Sequence, residues 1–515
     1  TADMSKWLSK IFSSNLLLIA ITLVPKIPVF LTKHLQEDSF ITWRVARNLL
    51  HYDVIGFNGT ERISASTTHL YMLISALFQL IFGENFIAPL LIFSSVLFAM
   101  GSIWLSKTLF PHDILRRGFF VILLNIVPPS LTASCLGMEY GILFFLYGGF
   151  LYYALFKVKN WAFFIFPILM LWTRVDTVIF LGVMFLADFV VRKKINWVYV
   201  VSGFIGVVSV VGFNTLYFGE LVNHTIEAKK IAYKGLTPNR VDYMFIQWAY
   251  YGGLIKKYSY FTLILFVAFL IFLGWILAKI LRNKDRIGYK TKVILVATTI
   301  FAMAKITLFA VMHAYFDWYY WLPRVFLFSV VIYFFLNFVR VRKRVIIPLL
   351  FIYFMGLYLF QLLQSEAIGY MENKQRVQIA NDIKARGTDM HQSIFLEPAG
   401  KIPFYTNLYT YDEVGLVNRK VLDEMLKDGE YWWINTVRDL QPDYILSIGA
   451  KPNSGKGYYR MKEVDKAYFD EHYEFLKAYP ISDIHRSAPT TVKWVYGVRP
   501  IGQDYYLYVK KNLKP

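Results

Sequence analysis

Long apolar runs separated by short charged connections fill the first 364 residues. Eleven of these runs are roughly 15–24 residues long, the length that a helix needs to cross a hydrocarbon core of ~30 Å. The pattern therefore predicts a polytopic α-helical membrane domain over residues 1–364. The predicted spans lie at about 12–32, 86–107, 118–134, 139–156, 161–173, 177–191, 196–216, 259–281, 292–313, 322–340 and 345–363.

Basic residues decide which way this domain faces. If the N-terminus is cytoplasmic, every inward connection carries Lys or Arg, which is the usual arrangement in membrane proteins. A further apolar run at 67–83 would invert the pattern if it crossed the membrane, so it is predicted to lie at the outer face. The two large outer loops are then 33–85 and 217–258. The inward connections lie near 107–117, 157–159, 192–194, 279–286 and 340–344.

The pattern changes after residue 364. Charged residues become dense and the apolar runs shorten to the length of strands, so residues 365–515 are predicted to form a soluble α/β domain. An odd number of spans places this domain outside. Helices are expected at 370–387 and 419–440, and strands at Ser393–Glu397, Leu408–Tyr411, Asp443–Ile448, Lys493–Val498 and Asp504–Lys510.

The first outer loop opens with two adjacent acids, Glu37 and Asp38. Residues 37–51 continue as an amphipathic helix, with Phe40 on its apolar face and Arg44 on another. A helix of this kind is typical of a membrane interface. Its two acids would lie at the helix N-terminus, where the helix dipole stabilises negative charge.

Composition supports the membrane assignment and limits the chemistry. The 515 residues are 56% hydrophobic and 17% charged, with a mean hydropathy of +0.43, which is far too apolar for a soluble protein. The inward connections account for most of the net charge of +20, so no nucleic-acid partner is expected. The single cysteine, Cys135, excludes an internal disulfide and a multi-cysteine metal site.

Ionisable residues collect at the outer ends of the predicted spans. A pump or channel more often carries such residues in mid-span as a relay, whereas groups around one outer cavity suit an enzyme that works at the interface. The aromatic run 315–321 lies between these ionisable residues, where it could stack on a sugar or form an aromatic belt at the membrane interface. The residues concerned are Glu37, Asp38, Glu139, Arg174, Asp176, His224, Lys229, His313, Asp317 and Arg324.

Several short motifs resemble those of the GT-C glycosyltransferases. The segments Asp38-Ser-Phe-Ile-Thr-Trp-Arg44 and Asn58-Gly-Thr-Glu61-Arg62, with Ser66-Thr-Thr-His69, are similar to the first outer loop of the branch that contains the mycobacterial terminal arabinofuranosyltransferases. The resemblance covers most of the chain. It continues through Gly137-Met-Glu139, Thr173-Arg-Val-Asp176, Tyr217-Phe-Gly-Glu-Leu-Val-Asn-His224, Glu397-Pro-Ala-Gly400 and Tyr411-Asp-Glu-Val-Gly415.

This resemblance implies an enzyme that transfers a sugar, arabinofuranose in that branch, from a polyprenyl-phosphate donor. The acceptor would be a cell-envelope glycan, lipid or protein, and the active site would face the periplasmic or extracytoplasmic side of a bacterial inner membrane. Asp38 would be the catalytic base that accepts the proton of the acceptor hydroxyl. No cofactor is expected, and a divalent cation held by Asp38 and other carboxylates is the alternative.

The remaining candidate residues would bind the two substrates. Negative charge grows on the leaving phosphate in the transition state, so fixed cations are stabilising. The donor phosphate is predicted to contact Arg174, Lys229, Arg324 and His224. The sugar or the acceptor is predicted to contact Glu37, Arg44, His69, Glu139, Asp176 and Tyr320.

Each assignment has a structural alternative. Either acid of the first loop could cap the helix that follows, and Arg174 could simply pair with Asp176. Arg324 could extend to the interface from a span end, and His69 could be a satisfied structural residue.

Two other functions fit the same sequence. One is a GT-C transferase of another sugar, such as aminoarabinose or a hexose, to lipid A or protein. The other belongs to a different class, a transporter or flippase for a polyprenyl-linked glycan, which would bind the donor without consuming it. Whether the anomeric centre is inverted or retained does not follow from one acid in a motif.

Overall fold

The computed structural model is mostly helical, and it separates into two compact units. The first unit comprises Thr1–Leu31, Ile87–Val210 and Gly235–Leu362, and the second comprises Thr32–Phe86, Val211–Lys234 and Leu363–Pro515. The structure describes residues 2–232, 260–283, 287–312, 314, 316–338, 343–387, 391–448, 460–498 and 500–511. The end of the predicted second outer loop (233–258), parts of two predicted inward connections (284–286 and 339–342), His313 and Tyr315 lie outside the described residues.

The helices of the described residues are numbered in chain order. They are α1 (Ala2–Ser13), α2 (Asn15–Leu23), α3 (Lys26–Leu31), α4 (Glu37–Tyr52), α5 (His69–Phe82), α6 (Ile87–Leu109), α7 (Ile114–Ile126), α8 (Pro128–Cys135), α9 (Tyr140–Gly149), α10 (Asn160–Thr173), α11 (Val178–Arg192), α12 (Trp197–Phe213), α13 (His224–Ala232), α14 (Tyr260–Arg282), α15 (Tyr289–Val311), α16 (Trp321–Phe338), α17 (Lys343–Glu372), α18 (Gln378–Lys384), α19 (Lys401–Thr406), α20 (Arg419–Lys427), α21 (Trp432–Leu440), α22 (Glu463–His472), α23 (Ile481–Arg486) and α24 (Thr490–Val498).

The long apolar helices support the membrane prediction. Within the described part of the chain, six helices are long and apolar enough to cross a membrane, or up to eight if each of two bent pairs is one span. α10 and the continuous segment Tyr140–Phe156 are apolar but shorter. The total of eleven spans and their orientation therefore stay predictions. The six are Ile87–Leu109, Trp197–Phe218, Ile264–Arg282, Tyr289–Val311, Asp317–Phe338 and Pro348–Lys384.

Two predicted spans are not straight helices. The run at 12–32 is broken because α1 and α2 meet at a bend of 95°, where the Ser14 side chain accepts the Leu17 N–H and caps α2. The run at 118–134 is broken because α7 and α8 meet at 73°. α8 starts at Pro128, whose ring and missing N–H prevent α7 from continuing.

Close backbone contact in the first unit fixes the position of α9. A Cβ atom on Gly148 would lie 2.4 Å from the Gly101 carbonyl oxygen of α6, and one on Gly101 would lie 2.7 Å from the Phe144 carbonyl oxygen. Small residues at such a crossing let two apolar helices pack at short range. This packing positions the start of α9, which directly follows Glu139.

The second unit contains the first predicted outer loop. The helix predicted at 37–51 is confirmed as α4, and its apolar residues Phe40, Trp43 and Val45 are buried. Its polar Arg44 is buried as well. The apolar run at 67–83 forms α5, a helix of 14 residues, which is shorter than the ~20 residues that a straight crossing needs.

The C-terminal residues of the second unit form a five-stranded mixed sheet with the order β2-β1-β3-β5-β4. The strand β1 is parallel to β2 and β3, whereas β5 is antiparallel to β3 and β4. The predicted α/β architecture is therefore confirmed. The strands are β1 (Ser393–Leu396), β2 (Tyr409–Asp412), β3 (Tyr444–Ile448), β4 (Tyr473–Tyr479) and β5 (Tyr505–Lys510).

One strand prediction in this domain is wrong. Residues Lys493–Val498 belong to the helix α24, although their β-branched and aromatic side chains favour a strand. Ala488 and Val492, spaced by four residues, are buried in one small apolar core, and this packing outweighs the local preference. The strand that completes the sheet is β4, where a register shift between Phe475 and Lys477 disrupts the regular alternation of apolar and polar residues.

Candidate functional site

Asp38 lies in the first turn of α4 and faces a lysine from a distant part of the chain. Its Oδ2 atom is 3.9 Å from the Nζ atom of Lys229 on α13. The side chains are 28% and 23% exposed respectively, so both charged groups reach solvent. Ala228 fixes the position of α13, because it is fully buried in the same apolar core as Val45 of α4.

Glu37 is bound entirely by protein groups. Its Oε1 atom accepts the backbone N–H groups of Gly400 (3.0 Å) and Lys401 (2.7 Å). Its Oε2 atom accepts a hydrogen bond from Arg376 Nη1 at 2.5 Å. Arg376 also pairs with Glu372, which in turn pairs with the buried Lys401 ammonium group at 3.3 Å. We call Glu37, Arg376, Gly400 and Lys401 the Glu37 anchor.

The Glu37 anchor explains the Glu397–Gly400 motif. A Cβ atom at Gly400 would lie 2.4 Å from the Glu37 carbonyl oxygen and 2.6 Å from its Oε1 atom. Glycine is therefore the residue that lets this turn close over the Glu37 carboxylate. Burial raises the pKa of the Glu397 carboxyl, although the charge of Arg376 opposes this shift.

Gly400→Ala is expected to destabilise the protein by about 1–3 kcal/mol, because the new methyl group overlaps backbone atoms that cannot move aside. Gly429→Ala is the matched control, since the nearest atom to a Cβ there is the Met425 carbonyl oxygen at 3.7 Å. Thermal unfolding in detergent measures both variants. Equal melting temperatures for the two variants would contradict the packing that we describe.

The first unit contains a second cluster of charges, centred on Arg174. Its Nε and Nη2 atoms donate to the two carboxylate oxygens of Asp176 at 2.9 and 3.2 Å, and its Nη1 atom donates to Glu139 Oε1 at 2.5 Å. The guanidinium also lies 5.5 Å from the ring centroids of Tyr140 and Tyr319. The ion pair with Asp176, one of the alternatives that the sequence left open, is thus formed.

Lys305 completes this cluster, and sequence reasoning missed it. Its ammonium group donates to Asp176 Oδ2 and lies 3.4 Å from the Phe309 ring centroid. Two cations thus face two carboxylates in a largely buried position. A lysine inside an apolar span was the available signal, because ionisable residues there are costly and usually have a role.

Lys26 was missed for the same reason. It is fully buried in the first unit, where its Nζ atom donates to Asn125 Oδ1 at 2.9 Å. Asn125 in turn donates to the Ser102 hydroxyl at 2.9 Å. The position of Lys26 between apolar residues of the run at 12–32 was the available signal.

The aromatic run of the first unit holds the next candidate cation. Arg324 Nη1 donates to Asp317 Oδ1 at 2.7 Å, and the Trp321 indole N–H donates to the same carboxylate at 2.9 Å. The Arg324 guanidinium lies 5.5 Å from the Tyr320 ring centroid. Tyr320 is buried and donates its hydroxyl to the Ala314 carbonyl oxygen at 2.8 Å.

Arg44 is occupied by backbone groups. It donates to the carbonyl oxygens of Phe57 (2.9 Å), Pro403 (2.8 Å) and Leu408 (2.7 Å). These bonds tie α4 to the loop that follows it, to α19 and to the residue before β2. Arg44 therefore holds the Asp38 helix in place, and its contact with a sugar or acceptor stays a prediction.

The two candidate histidines are buried in the second unit. His69 Nε2 lies 2.9 Å from Asn214 Oδ1, and burial lowers the pKa of its imidazole, which favours the neutral form. His224 Nε2 lies 2.6 Å from the Gly415 carbonyl oxygen, and its Nδ1 atom lies 3.9 Å from Glu220. The contact of His69 with the sugar or the acceptor stays a prediction.

Asp412 shapes the loop that His224 contacts. Its two carboxylate oxygens accept the N–H groups of Leu416 (2.8 Å) and Val417 (2.9 Å). Burial raises the pKa of this carboxyl, although the two N–H donors oppose the shift. Gly415 adopts a φ of +74°, a conformation that glycine tolerates without strain. The Tyr411–Gly415 motif therefore builds a turn.

The candidate residues divide between the two units. Asp38, Lys229, His224, Glu37, Arg44 and His69 belong to the second unit, and Glu139, Arg174, Asp176, Tyr320 and Arg324 belong to the first. Lys305, which the sequence did not single out, also belongs to the first unit. In the second unit, the partly exposed pair of Asp38 and Lys229 is the arrangement best suited to chemistry, because a carboxylate beside an ammonium group can accept a proton while the cation binds an anion.

Comparisons with known proteins address the fold. Residues 367–506 match a family model described as a domain of unknown function, DUF8728. No curated protein sequence matches the chain. The structure is similar to that of ArnT from Cupriavidus metallidurans bound to undecaprenyl phosphate, with 12% identity, a TM-score of 0.54 and coverage of 97% of this chain and 98% of that chain.

A second solved structure is an oligosaccharyltransferase from Archaeoglobus fulgidus in complex with zinc and sulfate. It shares 12% identity at a TM-score of 0.41, with coverage of 96% of this chain and 88% of that chain. The chain thus shares the fold of ArnT over nearly its whole length, which agrees with the GT-C-like fold that the sequence motifs implied. Membership of the arabinofuranosyltransferase branch stays a prediction.

Proposed function

We propose that this protein is a membrane glycosyltransferase that moves a sugar from a polyprenyl-phosphate donor to a hydroxyl group of an acceptor. The observation that carries the proposal is the position of Asp38 in the first turn of α4, with its side chain partly exposed beside the Lys229 ammonium group. Glu37 is bound by Arg376 and by two backbone N–H groups. Asp38 is 28% exposed beside Lys229 and can meet a substrate.

In the proposed reaction, Asp38 accepts the proton of the acceptor hydroxyl as its oxygen attacks the anomeric carbon. The bond from that carbon to the phosphate oxygen breaks, and polyprenyl phosphate leaves with an additional negative charge. Lys229, at 3.9 Å from Asp38, is suited to stabilise this charge because a fixed cation binds the product more strongly than the donor. His224 precedes Lys229 on α13 and orients that helix through the Gly415 carbonyl oxygen.

The Arg174 cluster has a different proposed role. Its cations are neutralised by Glu139 and Asp176, so it forms a rigid polar surface flanked by Tyr140 and Tyr319. We propose that this surface binds donor hydroxyls or phosphate oxygens through the groups that the pairs leave available, with Arg324 as a further cation. The published structure of ArnT with undecaprenyl phosphate supports a polyprenyl phosphate as the lipid.

The donor sugar and the acceptor follow from the motif resemblance alone. We propose arabinofuranose as the sugar and a glycan, lipid or protein of the bacterial cell envelope as the acceptor. The reaction would take place on the periplasmic or extracytoplasmic side of the inner membrane. A panel of polyprenyl-phosphate pentoses, aminopentoses and hexoses, each with the same lipid, would identify the donor.

Purified protein in proteoliposomes tests the activity. A donor radiolabelled in the sugar is expected to lose its label to an envelope extract and to yield polyprenyl phosphate in equal amount. A flippase would instead move intact donor between leaflets, which dithionite quenching of a fluorescent donor would show. Transbilayer movement without sugar release would overturn the proposed function.

A further inference from the structure

The short helices α23 and α24 pack on the side of α17. Together, residues 481–498 are called the 481–498 hairpin. A small apolar core joins its Ala488 and Val492 to Ala367 and Met371 of α17. α17 is a continuous helix over Lys343–Glu372, and it includes the last predicted span at 345–363. The hairpin therefore packs on the helix that emerges from this span.

Two hydrogen bonds give the direction of α24 along α17. The Tyr370 hydroxyl donates to the Ser487 carbonyl oxygen at 3.1 Å, and the Thr491 hydroxyl donates to Glu366 Oε1 at 3.0 Å. From Ser487 to Thr491 the hairpin advances by four residues, while its partner in α17 moves back by four, from Tyr370 to Glu366. α24 runs antiparallel to α17 and approaches the apolar segment of that helix.

The same pairing of residues shows how far α24 extends along the axis of α17. Three residues beyond Thr491, Trp494 lies near the level of Leu363, where the predicted span ends. Val498 lies one helical turn further, roughly 5.4 Å along the axis. Large apolar side chains on α17 are exposed in this direction, at Leu349, Phe351, Ile352, Tyr353 and Leu359.

The outer face of α24 is apolar where it comes closest to that segment. Trp494 and Val498 are 65% and 64% exposed, and their spacing of four residues places them on one helix face. That face lies opposite the buried Val492. The exposed Lys493 is next to Trp494 in the chain, and a tryptophan and an aliphatic residue beside a basic residue are typical of segments that lie at a membrane surface.

We propose that the 481–498 hairpin is a lipid-binding element that inserts Trp494 and Val498 into the bilayer next to α17. The lipid surface is the partner that fits, because the helix on which the hairpin packs, α17, also contains the last predicted membrane span. Lys493 would lie among the headgroups and favour anionic lipids. This inference does not depend on the proposed reaction, since it rests on α17 and the hairpin alone.

Cysteine labelling of the full-length protein tests this proposal. The single native cysteine, Cys135, is buried, so Cys135→Ser gives a background in which Trp494→Cys and Val498→Cys are each labelled with the fluorophore NBD. Val464→Cys is the matched control, because Val464 is 74% exposed on α22 of the same domain. Each protein is placed singly in nanodiscs of phosphatidylglycerol and phosphatidylcholine, with or without lipids that carry a nitroxide at chain position 5.

We expect the nitroxide lipids to reduce NBD emission at positions 494 and 498 at least twofold more than at position 464. Iodide in the water should show the opposite order. Nitroxide quenching at position 494 or 498 that is no greater than at position 464 would overturn the proposal. Protection from both quenchers would also overturn it, because the face would then be covered by protein. Size-exclusion profiles that match the unlabelled protein confirm that each variant is folded.

Discussion

Asp38→Asn is expected to lower the rate of sugar transfer by about 10²–10⁴-fold, the usual contribution of a general base. Asparagine has nearly the same shape but cannot accept the proton of the acceptor hydroxyl. The melting temperature should change little, because asparagine keeps the shape of the side chain and one accepting oxygen, and because the contact with Lys229 at 3.9 Å is partly exposed, a kind of pair that contributes ~0–1 kcal/mol. Transfer of a radiolabelled sugar at saturating donor concentration measures the effect.

Lys229→Met separates the two members of this pair. Loss of the cation should weaken donor binding and leaving-group stabilisation, whereas loss of Asp38 should act on the rate and leave the donor affinity intact. A donor titration of each variant therefore distinguishes the base from the phosphate contact. Wild-type transfer rates in Asp38→Asn would contradict the proposed mechanism, even if the protein proved to be a transferase.

Glu37→Ala is expected to act on stability instead, with a loss of about 3–5 kcal/mol in the free energy of unfolding. Removal of one partner from a largely buried ion pair is costly. Here the N–H groups of Gly400 and Lys401 lose their acceptor, and Arg376 keeps only its longer contact with Glu372 at 3.5 Å among the carboxylates that it pairs with in the described residues. Denaturant titration in detergent, followed by tryptophan fluorescence, measures the change.

Two controls accompany Glu37→Ala. Glu37→Gln keeps a carbonyl oxygen for the Gly400 and Lys401 N–H groups and should lose less stability. Asp483→Ala removes an exposed acid that pairs with Arg486 at 3.0 Å, and it should change stability by less than about 0.5 kcal/mol. A Glu37→Ala variant as stable as Asp483→Ala would contradict the structural role of Glu37.

Local patterns predicted the elements around the candidate site well. The period and the length of the apolar runs were sufficient to predict α4, α5 and the α/β nature of the C-terminal residues, because each element carries its own apolar face. They failed where the deciding contact is remote. α24 is helical because Val492 packs into a core with residues of α17, and no local preference contains that information.

The sequence also marked Glu37 and Asp38 as a pair without separating them fully. Both acids suit a helix N-terminus, and the residues that distinguish them, Gly400 and Lys229, are far away along the chain. The same limit applies to Lys305, whose partner Asp176 lies on a different helix. Motifs therefore selected the candidate residues, whereas the contacts that distinguish Glu37 from Asp38 are visible only in three dimensions.

The Glu37 anchor has a consequence for the order in which the protein matures. Glu37 and its backbone donor at Gly400 are separated by 363 residues, and translation at ~5–20 residues per second needs roughly 20–70 s to cover that distance. During this interval Glu37 has been synthesised but the residues that bind it have not. The helix that carries Asp38 thus acquires this support only after residues 400 and 401 have been translated, so a nascent chain cannot hold the proposed catalytic carboxylate in its final position early in its synthesis.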